Sequence, residues 1–270
     1  MIEKDRSTHI APLDPDRFDD AVSYYVKHRI RYADRLIRQI SAAAGLTTSL
    51  RALDLGCGPG FIANQLAPLA REVVGIDPNN AMLDVARAEA KACGLNNVSY
   101  ILGSSFDLTI VRRPFQLVTM GRSFHWMDRM ATLSSLEGLV ADDGAIALLS
   151  DQTFDAPENE WWQRFTEVCG DFGNSDEFIP HRKGWEPHVS VLMRSMFSDV
   201  QTFSLPAHHS WTIDGVIGLA LSRSNMTESK LGHRKAEFEA TLRQALASYV
   251  TDGYLYSLVE QTAIMARRPS

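Results

Sequence analysis

Cysteine is scarce in this chain. Cys57, Cys93 and Cys169 are odd in number and widely separated, which fits reduced thiols rather than a disulfide framework. None stands at metal-ligand spacing from another, so no metal is expected. Basic residues are also in short supply: 27 Lys and Arg against 33 Asp and Glu leave a formal charge of -6. That is the wrong sign for a surface that replaces the counterions of a nucleic acid. There is no apolar run of about eighteen residues that would span a membrane, and the N-terminal MIEKDRSTHIAPLDPD lacks the apolar centre of a secretory signal. Neither an internal repeat nor a Pro/Gly/Ser linker divides the chain. These absences lead to the expectation of one cytoplasmic domain, monomer or homodimer, with neither nucleic acid nor membrane as partner.

What the chain does have is a regular alternation from Arg51 onward. Continuously apolar runs, ALDLG, EVVGID (72–77), VSYIL (98–102), FQLVTM (115–120) and AIALLS (145–150), read as strands buried on both faces. Helical stretches lie among them at Phe61 to Leu69, at Asn80 to Cys93, which Gly94 stops, and at Met130 to Val140. Strand and helix in alternation predict an α/β fold, a doubly wound, mostly parallel sheet with helices on both faces. Right-handed crossovers then gather the loops after the strands along one ligand-binding edge.

Four regions follow from this rhythm. Residues 1–50 are an N-terminal helical cap, with Pro15 to Ala44 read as helical throughout, and 51–150 are the cofactor-binding core. Residues 151–199, rich in aromatic and polar side chains, are a lid insertion on the substrate side. Residues 200–270 add VQTFSL, helices at Ile213 to Arg223 and His233 to Val250, and a strand around Glu260 to Ala266.

RALDLGCGPG (51–60) is a strand running into Gly56, Gly58 and Gly60 and then a helix. Such a turn lets a ligand approach the bare backbone. A dinucleotide loop would place its third glycine where this chain has Phe61, and Pro59 removes a backbone donor, so pyrophosphate is disfavoured. Asp77 ends the second strand, where a carboxylate can accept from both ribose hydroxyls and would repel a phosphorylated ribose. Its alternative role is to cap the following helix. Ser104, Ser105 and Phe106, in GSSFDL after the third strand, offer a polar edge and a flat face to an adenine.

ALDLGCGPG, GIDPNNAML, GSSFDL and FQLVTMGRSFHWMD, in this order and spacing, resemble the class I S-adenosylmethionine-dependent methyltransferases. They are most similar to the small-molecule group called methyltransferase type 11, in which an HW pair follows the fourth strand. YYVKHRIRY resembles, more loosely, that group's tyrosine-arginine-tyrosine segment. The resemblance implies a Rossmann-like fold and S-adenosylmethionine as cofactor, with S-adenosylhomocysteine as product. It further implies that Asp54, Gly56, Gly58 and Gly60 border the methionine part, with Met120 and Gly121 beside it. Asp77, with Pro78 next to it, would hold the ribose. Met82 and Phe106 would take the adenine faces, Ser104 and Ser105 its edge, and Tyr25 and Arg29 would close over the cofactor.

For the acceptor, a small molecule methylated at O, N or C, the readings stay open. His125 is the candidate general base, since neutral imidazole accepts a proton near pH 7; alternatively His125 and Trp126 only pack the pocket floor. Arg122 would suit an anionic acceptor if it faces the pocket, or it binds a backbone carbonyl instead. Ser123, Arg182 and Trp211 complete the candidate acceptor side, and Trp185 and Arg223 belong to the same aromatic-basic sets. Two other functions are weighed against methyl transfer: cofactor binding without transfer, as a sensor or for other chemistry, and an NAD-dependent dehydrogenase.

Overall fold

Each of the five apolar runs forms a strand; four are largely buried, as segments covered on both faces must be, whereas VSYIL lies at the sheet edge with Ser99 and Leu102 exposed. In the computed structural model, which describes residues 13–112, 114–173 and 185–269, these are β1 (Arg51–Leu55), β2 (Glu72–Asp77), β3 (Val98–Leu102), β4 (Phe115–Gly121) and β5 (Val140–Thr153). Two longer strands, β6 (Asp199–Trp211) and β7 (Leu255–Arg267), complete a seven-stranded sheet in the order β3-β2-β1-β4-β5-β7-β6. β1 to β5 pair in parallel, and β7 lies antiparallel between β5 and β6. The strand order reverses between β1 and β4, which opens a crevice at their carboxyl ends.

Helices cover both faces, as expected. On one face α2 (Asp34–Ala43) and α3 (Phe61–Leu66) bury Leu36, Ile40, Ile62 and Leu66 against Leu117 and Ala147. α4 (Asn80–Ala92) lies against β2 and β3. On the other face α5 (Arg129–Glu137) and α7 (His188–Leu192) set Leu133, Leu136, Val191 and Leu192 against Val118 and Ile146. A third apolar cluster joins α6 (Glu160–Phe172), α8 (Ile213–Leu221) and α10 (Lys235–Leu246) through Trp161, Phe165, Val216, Phe238 and Leu242. The short α9 (Glu228–Leu231) precedes α10.

Of the expected lid, 174–184 lie outside the described residues, and the described parts join three structures. Residues 151–153 extend β5 along β7, α6 belongs to the third cluster, and α7 with Phe197 belongs to the main core. Among the described residues no helix is long and apolar enough to cross a membrane, and no group of His, Cys, Asp and Glu is placed to hold a metal ion.

The N-terminal segment departs from expectation. Instead of one helix from Pro15 to Ala44, α1 (Val22–His28) ends at Arg29 and α2 begins at Asp34. The apolar spacing is helical, but the backbone between finds better partners in the sheet. Arg122 donates to the Ile30 carbonyl at 3.0 Å, Gln261 to that of Arg31 at 2.9 Å, and Gln65 to that of Tyr32 at 2.8 Å. The Ala33 amide donates to Gln261 Oε1 at 2.7 Å. With these groups satisfied by side chains, the helix loses its advantage. Tyr32 is 3% exposed and donates its hydroxyl to the Leu149 carbonyl at 3.0 Å.

The glycine loop joins β1 to α3. Gly60 adopts φ +78° at the start of α3, and a Cβ there would lie 2.4 Å from the Tyr100 hydroxyl and 3.0 Å from Ala86. Asp54, 1% exposed beneath the loop, accepts from Thr119 at 2.8 Å and from the Ala63 amide at 3.2 Å. Burial raises its pKa to about 7, with both hydrogen bonds opposing.

Gly60→Ala adds left-handed strain to overpacking and is expected to lower unfolding free energy by about 2–4 kcal/mol in urea titrations. Asp54 has a folded pKa of about 7 against an ordinary 3.8, so between these values the folded chain holds the extra proton. Its contribution to stability is full below about pH 4 and is lost as pH rises through about 7. Unfolding free energies measured across that window should fall more steeply with pH in the wild type than in Asp54→Asn.

Candidate active site

One cavity of about 540 Å³ lies over the carboxyl ends of the parallel strands. Its floor is made by the turns after β1, β2, β3 and β4, and its roof by α1, the residues around Trp162, and the segment from Trp185 to His188.

At the β1 and β2 end, Gly56 and Gly58 line the cavity for different reasons. Gly56, at φ +70°, has no room for a side chain: a Cβ would sit 2.5 Å from that of Ser123. Gly58, at φ +52°, has nothing within 4 Å of that position and presents bare backbone to the cavity. Gly60 and Asp54 are not on the wall; they face Tyr100 and the base of α3.

Asp77 lines the cavity at the tip of β2. Its Oδ2 accepts from the Gly58 amide at 2.7 Å and its Oδ1 from the Asn79 amide at 2.9 Å. The helix cap that sequence allowed for Asp77 is supplied by Asn79, whose Oδ1 accepts from the Met82 amide at 2.8 Å. Burial raises the Asp77 pKa despite the two amides. Pro78, Met82, Ser104, Ser105 and Phe106 continue this wall; Met82 is buried, while Phe106 is 54% exposed.

Met120 and Gly121 end β4 at the centre of the floor. Arg122 follows at a strained φ of +53°. Its guanidinium pairs with Asp151 at 2.7 Å and lies 4.8 Å from the Tyr32 ring centroid and 5.8 Å from that of Tyr25. Burial alone would lower its pKa, but Tyr32, Asp151 and Tyr25 together hold it above the usual range. Both roles weighed for Arg122 thus meet in one residue, which faces the cavity yet already holds a carboxylate and a backbone carbonyl. Ser123 lines the cavity and donates to the Leu55 carbonyl at 2.8 Å, tying β4 to β1.

His125 and Trp126 sit in a single helical turn on the wall, their rings 4.9 Å apart. Trp126 is covered by Arg17 at 4.6 Å and meets Phe18 edge-on at 6.1 Å. Tyr25 and Arg29 form the roof, with the guanidinium 5.2 Å from the Tyr25 centroid. Arg29 donates to the Ser222 carbonyl at 3.3 Å, and its buried Nε has no partner. Burial lowers its pKa to about 10. Trp211 closes the far end, its indole donating to Ser257 at 3.1 Å. Arg182 lies outside the described residues.

Other wall residues were not singled out as site residues on sequence. His188 reaches the cavity because Arg129, 1% exposed, anchors its segment by donating to the Glu186 carbonyl at 2.7 Å and approaching His188 Nδ1 at 3.3 Å. A guanidinium only donates, so Nδ1 accepts and the ring proton sits on Nε2. Burial and Arg129 lower the His188 pKa to about 4. Trp162 and Arg223 also line the wall. A tryptophan pair at 161 and 162 shows that an aromatic helix exists, but not which ring faces out; Trp161 is the buried one, donating to the Tyr256 carbonyl at 2.7 Å.

Comparisons with known proteins agree with this geometry. Residues 52–144 match a family model described as a methyltransferase domain. An uncharacterised methyltransferase of Mycobacterium tuberculosis is 25% identical over 232 residues, covering 86% of each chain. The crystal structure of YcgJ from Bacillus subtilis superposes with a TM-score of 0.56 at 16% identity, over 88% of this chain and 100% of that one. A methyltransferase from Thiobacillus denitrificans, described as S-adenosylmethionine-dependent and in complex with S-adenosyl-L-homocysteine, gives 0.54 at 16% identity, over 95% and 100%. The structural likenesses speak for the fold and the sequence matches for the family. A glycine turn opening on a cavity, a carboxylate at the tip of β2 and these relatives lead to one conclusion: residues 52–144 match a methyltransferase domain, and the chain around them is similar to methyltransferases of the Rossmann-like fold.

Proposed function

We propose that the protein methylates a small organic acceptor at O, N or C, held in the aromatic half of the cavity. The observation that carries this reading is the continuity of the cavity, which joins the Asp77 and Gly58 wall to the wall of Trp162, Trp211 and Arg223.

The residues present fit the cofactor. Gly58 offers open backbone, Asp77 keeps acceptor capacity beside it, and the Arg29 Nε is buried without a partner. In this reading Asp77 and Pro78 hold the ribose, Met82 and Phe106 the faces of the adenine, and Ser104 and Ser105 its edge. Gly56, Gly58, Met120 and Gly121 border the methionine part, Tyr25 closes over it, and Arg29 takes its carboxylate. Asp54 and Gly60 act from beneath, by shaping the loop.

When bound, S-adenosylmethionine supplies an electrophilic methyl carbon on a sulfonium, with a neutral thioether as leaving group. The chain's part is to align the acceptor's lone pair with that carbon and to keep water away, a contribution of roughly 7–11 kcal/mol in favourable cases. Trp126 under Arg17 and Phe18, with Tyr25 beside them, closes the cavity on the N-terminal side. His125 accepts the acceptor's proton where the nucleophile is a hydroxyl or an ammonium.

Two measurements test this. Calorimetry should show S-adenosylhomocysteine binding to the wild type and at least tenfold weaker binding to Asp77→Ala; equal affinities would remove Asp77 from the ribose. With an acceptor in hand, His125→Ala should lower kcat by about a hundred- to ten-thousand-fold while cofactor affinity holds. An unchanged kcat would leave His125 as packing. Tight S-adenosylhomocysteine binding without transfer to any member of a broad acceptor panel would favour the binding-only function.

A further inference from the structure

The acceptor end of the cavity carries more positive charge than the protein itself balances. Arg29, Arg122 and Arg223 all line it; the charges of Arg122 and Arg223 both act on Arg29, and that of Asp151 acts on all three. Among the described residues at this end the carboxylate is that of Asp151, and it is taken by Arg122. Arg29 has a carbonyl and a tyrosine face. Arg223 has aromatic faces alone, with its guanidinium carbon 4.7 Å from the Phe165 centroid and 5.6 Å from that of Trp162. Burial lowers its pKa, and among the described residues neither a hydrogen bond nor a salt bridge offsets that cost.

S-adenosylmethionine does not supply the missing negative charge. Its carboxylate answers Arg29, but its ammonium and sulfonium leave it with a net positive charge. Arg223 is partly buried; an unpaired guanidinium with reduced access to water is costly, and a planar fork of donors is suited to an oxyanion. The π faces of Trp162 and Phe165 hold the fork in place without using its N–H groups.

We infer that Arg223 is the recognition site for a carboxylate on the acceptor, so that the substrate is a small organic acid rather than a neutral or cationic molecule. The inference rests on the methyl-transfer reading and narrows it to a substrate class. His188, with its proton on Nε2, lines the same cavity as a donor. Trp162, Trp185 and Trp211 supply apolar walls for the carbon skeleton.

The test uses the full chain saturated with S-adenosylhomocysteine. Benzoate, phenylacetate and glutarate are titrated by calorimetry beside their neutral amides, into the wild type and into Arg223→Met. At least one acid should bind the wild type tenfold or more tightly than its amide. The substitution should abolish that preference while leaving S-adenosylhomocysteine affinity within twofold. Acids binding no better than amides, or equally well to the variant, would overturn the inference.

Thermal unfolding without ligand separates recognition from packing. Arg223→Met should melt at or above the wild type, because a partly buried charge without an ion-pair partner among the described residues has been removed. A melting point several degrees lower would assign Arg223 to packing against Trp162 and Phe165 and would equally overturn it. Wild-type protein that fails to bind S-adenosylhomocysteine at all would instead sink the methyl-transfer reading, and the acid subsite with it.

Discussion

At the end of β4 the Arg122 guanidinium reaches Asp151 on β5 and the Ile30 carbonyl on the segment above them, and it lies across the rings of Tyr25 and Tyr32. The sheet, the N-terminal segment and the cavity roof meet in this one side chain. Its positive φ, unusual for a residue with a Cβ, is what turns it back over β5. The pair is partly buried; ion pairs withdrawn from water are poor net stabilisers but strong determinants of geometry, since removing one partner leaves the other stranded. Arg122 therefore serves as the fixed point against which Tyr25, Arg29 and the two halves of the cavity are positioned.

The two ends of the cavity use electrostatics in opposite ways. At the β2 tip, two backbone amides are turned onto one carboxylate. At the far end, guanidiniums are held by aromatic rings and carbonyl groups, with the Asp151 carboxylate on Arg122. Burial raises the carboxylate pKa at one end and lowers the pKa of Arg29 and Arg223 at the other. Both are costs that an unliganded protein bears and a correctly charged ligand relieves.

Much of the fold was legible because it rests on local signals. Buried strands announce themselves as unbroken apolar runs, and Asp77 stands out as the acid that closes the second. Other features were hidden because they depend on contacts between distant parts of the chain. The three loop glycines look alike in sequence, yet Gly58 meets open space, Gly56 meets Ser123 and Gly60 meets Tyr100. The break between α1 and α2 follows no local rule; it is imposed by Gln65, Arg122 and Gln261, the last of them 230 positions away from Arg31. His188 is in the cavity because of Arg129, and no spacing in the sequence links the two.

The antiparallel insertion of β7 between β5 and β6 bears on the order of assembly. The last strand of the sheet is not an edge strand, so β6 has no neighbour until β7 is made. Gln261, on that strand, also holds the backbone of Arg31 and Ala33 near the opposite terminus. During synthesis the parallel half of the sheet can form as it emerges, while the roof above it waits for the final strand. Because such long-range closures form late, ligand-binding competence would follow the docking of β7.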